Sequence, residues 1–223
     1  MAFEGYSQET LDFLWDIRFN NERSWFLAHK QDYEAHLLAP TRALGEQVYE
    51  ALHAAFPKEP FLLKLSRIYR DARRLHGNGP YKDHLWFCVR AGGEDWTGRP
   101  TFYFEIGPDY YSYGMGFWAP KAALMEAYRK AVDEHPEVLE KLVKRFNKQA
   151  QFTLSGPEYA RKKTAPSPLL AAWYNKKSIN LQHDAAPDER MFSQELAQDI
   201  IEGFRTLMPL YKYFDALCAA EMV

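Results

Sequence analysis

The spacing of the apolar residues changes near Phe56-Pro57, and that change limits what the chain can fold into. Before it, large apolar residues recur three and four positions apart, the spacing of a helix with one buried side. Ser7 stands where an N-cap belongs, and Leu11, Leu14, Trp15 and Arg18 share a side until Asn20-Asn21 breaks the pattern. A second helix is predicted over 22–38, where Trp25, His29 and Tyr33 fall four apart. Pro40 suits the first turn of a third, with Leu44, Val48, Ala51, Leu52 and Ala55 as its buried stripe.

After the change, large residues alternate with other types over 85–89, 102–106 and 111–117, which is the pattern of strands. Leu85, Phe87 and Val89 share one face, as do Phe102, Phe104 and Ile106, and Tyr111, Tyr113, Met115 and Phe117. The links between them are short, so the strands are antiparallel neighbours, because a parallel crossover takes a dozen or more residues. A further strand is predicted over 62–70, and 176–181 is expected to add an edge strand. The other face of these strands carries Trp86, Tyr103, Glu105, Gly114 and Gly116, which suits either a shallow ligand groove or a packed helix or loop.

Helical spacing returns after Pro120, breaks at His135-Pro136, and resumes with Val138, Leu139, Leu142, Val143 and Phe146. Leu196, Ile200, Phe204 and Leu207 predict a last helix that ends before Pro209. The fold class expected is α+β: an antiparallel sheet of about four or more strands packed with N-terminal and C-terminal helices. No linker divides the chain, so residues 1–223 read as a single domain.

The hydrophobic share of 47% is ample for a core in 223 residues. No long uninterrupted apolar run and no secretory pattern at the N-terminus occur, which predicts a cytoplasmic protein that does not insert into membranes. Cys88 and Cys218 lie far apart without a metal or redox spacing and read as buried thiols. The net charge of −2 hides a segregation of charge. Positions 61–90 hold seven Lys or Arg against Asp71 and Asp83, and 141–180 hold nine against Glu158 alone. Such segments either attract phosphates and acidic partners or are neutralised by acidic side chains folded beside them.

The stretch 65–90, LSRIYRDARRLHGNGPYKDHLWFCVR, concentrates most of the chemistry. Arg67, Arg70, Arg73 and Lys82, with Tyr81, are the candidate ligand-binding residues, because a guanidinium presents a planar fork to carboxylate or phosphate and an ammonium adds a point charge. Asp71 and His84 are the candidates for proton transfer, with His29 a further histidine on an aromatic helix side. Strand alternation sends Arg67, Tyr69 and Asp71 one way and Ser66, Ile68 and Arg70 the other. The same residues read equally as an Arg-Asp network tying the sheet to the N-terminal helices, through Glu22 or Asp32. His29, His76, His84 and Asp71 have no metal-ligand spacing, and the Gly77-Asn78-Gly79-Pro80 turn reads as tight backbone rather than a phosphate cradle.

Four blocks, NNERSWFLAHKQDYEAHLLAP, RIYRDARRLHGNGPYKDH, WYNKKSINL and ELAQDIIEGFRTLMPL, together resemble the domain of unknown function 2461 family over nearly the full length. The resemblance implies no activity, cofactor or catalytic residue, because the family carries none to transfer. The turn that is polar and lysine-bearing in that family reads RRLHGNGPYK here, which moves attention from its tip to its base at Arg67, Arg70, Arg73 and Lys82.

Two function classes follow. One is a protein that binds an anionic or phosphorylated small molecule through the Arg/Lys cluster. The other is a non-enzymatic nucleic-acid or protein-binding module, using the basic 141–177 segment with Trp173 and Tyr174 as exposed stacking rings. A pI near 6.4 disfavours a dedicated nucleic-acid binder.

Overall fold

A computed structural model describes residues 2–71, 73, 79–93 and 96–221. It has a six-stranded antiparallel sheet with helices before, between and after its strands in the chain, an α+β fold. The strands are β1 (Phe61–Leu65), β2 (Leu85–Ala91), β3 (Pro100–Ile106), β4 (Tyr111–Phe117), β5 (Thr153–Ser155) and β6 (Asn180–Ala185), in the order β1-β2-β3-β4-β6-β5. Helix α1 (Gln8–Phe19) starts at Ser7, whose amide donates to Thr10 Oγ1 at 3.2 Å. Helices α5 (Ala122–Glu134) and α6 (Pro136–Phe146) meet at His135, where the sequence places the break.

Three expectations are corrected. The helix predicted over 22–38 is not continuous. Helix α2 (Arg23–Ala28) ends at His29, a short α3 (Lys30–Asp32) follows, and Tyr33–Leu38 form a π-helical turn that runs into α4 (Ala39–Ala55). The strand predicted at 176–181 begins at Asn180 and lies inside the sheet, between β4 and β5. The last helix, α8 (Glu195–Glu221), does not stop at Pro209 but runs through it. A proline there removes one helical donor, yet Leu207, Met208, Leu210, Tyr211 and Phe214 around it are all buried. Packing outweighs the local preference. The short helix α7 (Ala171–Tyr174) precedes β6.

The chain forms two compact units. The first comprises Met1–Val89, Tyr103–Tyr113 and Asp184–Glu202. In its core the Tyr6 ring stacks on Phe104 at 6.1 Å and Phe104 on Phe87 at 5.4 Å. The Tyr6 hydroxyl is paired with Thr41 Oγ1 at 3.0 Å, so the buried ring keeps its polar end satisfied. The second comprises Arg90–Phe102, Gly114–His183 and Gly203–Val223. There Phe102 stacks on Phe204 at 4.7 Å and Tyr211 at 4.9 Å, and Arg99 donates from Nε to Asp215 at 3.0 Å. The room left by Gly114 and Gly116 is taken by β6: a Cβ at Gly114 would lie 2.0 Å from the Leu181 carbonyl oxygen.

Cys88 and Cys218 are both buried, and burial pushes the Cys218 thiol up to about 12. No helix among the described residues is long and apolar enough to cross a membrane.

Candidate functional site

The residues singled out by sequence lie in the first unit, just beyond the end of β1. The chain leaves β1 at Leu65, keeps a main-chain bond from the Ser66 amide to the Trp86 carbonyl at 2.8 Å, and forms an isolated bridge at Tyr69, opposite Tyr81. Alternation nevertheless continues, with Ser66 and Ile68 buried and Arg67, Tyr69 and Asp71 exposed. The return strand is clasped by Asn21: its Nδ2 donates to the Tyr81 carbonyl at 2.9 Å, and its Oδ1 accepts from the Tyr81 amide at 2.9 Å. Gly79 permits that approach, since a Cβ would lie 2.2 Å from Asn21 Oδ1. Residues 72 and 74–78, including His76 and the Gly77-Asn78 half of the Gly77-Asn78-Gly79-Pro80 turn, lie outside the described residues.

The predicted cations separate into different surroundings. Arg70 donates from Nε to the Tyr81 carbonyl at 2.7 Å, and its Nη2 is 3.6 Å from Asp83 Oδ1. Arg73 is 87% exposed and pairs with Asp71 at 2.8 Å, so neither is directed at the other candidates by that contact. Lys82 donates from Nζ to the Arg67 carbonyl at 2.6 Å and lies 5.7 Å from the centre of the Trp86 ring. Burial, followed by the nearby Arg70 guanidinium, holds Lys82 below the usual lysine range, while Glu105 pulls the other way. The Tyr81 ring is buried and stacks on Phe26 at 4.2 Å.

Asp83 is the residue that sequence reasoning missed. Its carboxylate meets Arg18 Nε at 2.7 Å and His84 Nδ1 at 3.2 Å, besides Arg70. Burial acts to raise its pKa, but the hydrogen bonds from Arg18 and His84 outweigh burial and hold it below the usual carboxylate range. Arg18 Nη2 also reaches Asp109 at 3.6 Å. The tie to the N-terminal helices therefore runs through Arg18 of α1 rather than Glu22 or Asp32. Nothing local to Asp83 marks it, because Arg18 lies far away in the chain; only its place beside His84 was a signal. His29 stacks on Trp25 at 4.1 Å, away from His84's contacts.

Beside this network is a cavity of about 360 Å³. Its walls include the rings of Phe26, Tyr33 and Tyr69 and the basic residues Lys30, Arg42 and Arg67, with no carboxylate among the lining residues. Lys30 is paired with Glu34 at 3.4 Å. Among the described residues neither Arg42 nor Arg67 has a carboxylate partner, and both are exposed. Burial, with the Tyr69 hydroxyl nearby, pushes Tyr33 up to about 12, so it stays a neutral hydrogen-bond donor. Arg42 had no sequence signal beyond lying in the third predicted helix.

The second basic segment, in the other unit, does not have the surface expected of it. Trp173 and Tyr174, predicted as exposed stacking rings, are buried. Trp173 packs edge-on against Phe146 at 5.4 Å, and the Tyr174 hydroxyl donates to Asp133 at 2.9 Å. Both rings are needed by the core, which is why they are unavailable to bases. The half-buried Tyr159 does lie near two cations, with Arg129 at 4.8 Å and Lys177 at 5.7 Å from its ring centre. Among the described residues no group of His, Cys, Asp and Glu could hold a metal ion.

Comparison with known proteins matches no curated protein. A family model described as conserved hypothetical protein (DUF2461) matches residues 9–213, which span Arg18, the 65–90 stretch, the cavity and most of α8, and the chain therefore belongs to the DUF2461 family.

Proposed function

We propose that this protein binds an anionic small molecule, most simply one bearing phosphate, at the Arg67 end of the basic cluster. The observation that carries the reading is the composition of the cavity wall: three basic residues and no carboxylate, with Arg42 and Arg67 unpaired among the described residues. Unscreened like charges repel, and an anion between them offsets that repulsion. Lys82, already held below its usual range by burial and by Arg70, gains from the same anion. Arg70 acts from behind, fixing the Tyr81 strand through its carbonyl. Asp71 and His84 would serve proton transfer only if a ligand reached them, and each is occupied by Arg73 or Asp83.

A thermal-shift titration with inorganic phosphate and with ribose 5-phosphate tests this, because a ligand bound only by the folded state raises the melting temperature. Stabilisation is expected in the wild type and is expected to vanish in Arg67→Ala with the ligand-free melting temperature unchanged. Stabilisation that persists undiminished in both Arg67→Ala and Lys82→Met would remove these anchors.

The contacts of Asp83 with Arg18 and Arg70 favour a second reading, in which part of the cluster is a fastening between α1 and the 80–84 return strand. It is separable from the first. Arg70→Ala should lower the ligand-free melting temperature, whereas Arg67→Ala should not.

A further inference from the structure

We infer that the ligand of this cavity is a planar aromatic ring carrying a single phosphate monoester, with the ring against Tyr69 and the phosphate between Arg42 and Arg67. The inference rests on the anion-binding reading above and adds the other half of the ligand.

Three observations lead to it. The first is charge. Arg42 and Arg67 supply two positive charges without a carboxylate partner among the described residues, while Lys30 is offset by Glu34. A phosphate monoester carries roughly −1.5 to −2 at neutral pH, which matches two guanidinium groups and leaves no charge for a second phosphate. Each guanidinium can donate two parallel hydrogen bonds to phosphate oxygens.

The second is the rings. Tyr69 is a large aromatic residue left 53% exposed at the cavity wall. Its ring is held from behind, 5.8 Å from Phe26 and 5.3 Å from Tyr81, with Phe26 in turn packed against Tyr33 at 5.5 Å. An aromatic side chain with one face braced and another open is a stacking platform, and it does not discriminate between planar rings. A sugar phosphate would use the arginines and leave the rings without a purpose.

The third is the π-helical turn. Tyr33 and Leu38, five residues apart, both line the cavity. In an α-helix of 3.6 residues per turn they would point about 140° apart. The wider turn, with its bonds five residues apart, brings the two onto one side and sets the wall between α3 and α4. Such turns are rare and occur often at functional sites. The cavity, at about 360 Å³, is within the range of roughly 300–1,000 Å³ that small-molecule sites occupy.

Isothermal titration of the full chain with adenosine 5′-monophosphate, uridine 5′-monophosphate and pyridoxine 5′-phosphate, each compared with ribose 5-phosphate, tests the inference. At least one aromatic phosphate is expected to bind about tenfold or more tightly than ribose 5-phosphate. Tyr69→Ala should bring that ligand down to the ribose 5-phosphate level without changing ribose 5-phosphate itself, and Arg42→Gln should weaken both. Should Tyr69→Ala fail to fold, Tyr69→Leu keeps apolar cover over Phe26 and carries the same expectation. Equal binding of all four phosphates would overturn the ring while leaving the anion site in place. Absence of binding by any of them would overturn both.

Discussion

At the scale of single residues, Asp83 organises the charges that the sequence shows only as a crowd. Its pKa in the folded chain lies below the ordinary 3.8. Between those two values the unfolded chain binds a proton that the folded chain does not, so stability rises with pH across that interval. The contribution is complete above about pH 5 and fades as pH falls through the folded value. Asp83→Asn is therefore expected to flatten the acid side of the melting-temperature profile, and to cost about 1 kcal/mol at neutral pH for a partly exposed cluster. Melting curves from pH 2 to 7 check it; parallel profiles for the two proteins would refute it. Arg67, Arg70, Tyr81 and Lys82 were legible because they share one short stretch, and alternation correctly split Ser66 and Ile68 from Arg67 and Tyr69. Arg18 and Arg42 were not legible as candidates. Their places in the candidate site depend on helices packing against that stretch, which no local pattern encodes.

At the scale of elements, period and punctuation predicted where helices and strands lie but not how neighbours override them. The strands β2, β3 and β4 follow their alternation closely, and Asn20-Asn21, His135 and Phe56 end helices as expected. The π-helical turn at Tyr33–Leu38 was invisible because its apolar spacing resembles that of an ordinary helix over so short a run. Helix α8 passes through Pro209 because of what its sides bury. One of those contacts can be tested directly. Phe102 of β3 is fully buried between Phe204 and Tyr211, so Phe102→Ala leaves a cavity that both rings can only partly fill. A loss of about 3–5 kcal/mol is expected in urea unfolding, and a loss below about 1 kcal/mol would mean the packing is not as described.

At the scale of the molecule, the boundary between the two compact units falls within β2, β3, β4, β6 and α8 rather than between elements. That is why no linker is visible in the sequence: the division follows three-dimensional contacts, not composition. The sheet as a whole begins at β1, whose outer side has no strand beside it among the described residues. On that strand Leu62 is 51% exposed and Lys64, two positions on, is exposed as well. An unpaired edge carrying leucine invites a second copy to add its own strand, and a lysine on the same side makes that addition bury a charge. Lys64 thus acts as a guard on solubility, with no part in the cavity or the core. Lys64→Val should leave the melting temperature nearly unchanged while light scattering rises on concentrating the protein. Unchanged scattering would show that the twist and shortness of β1 protect the edge without it.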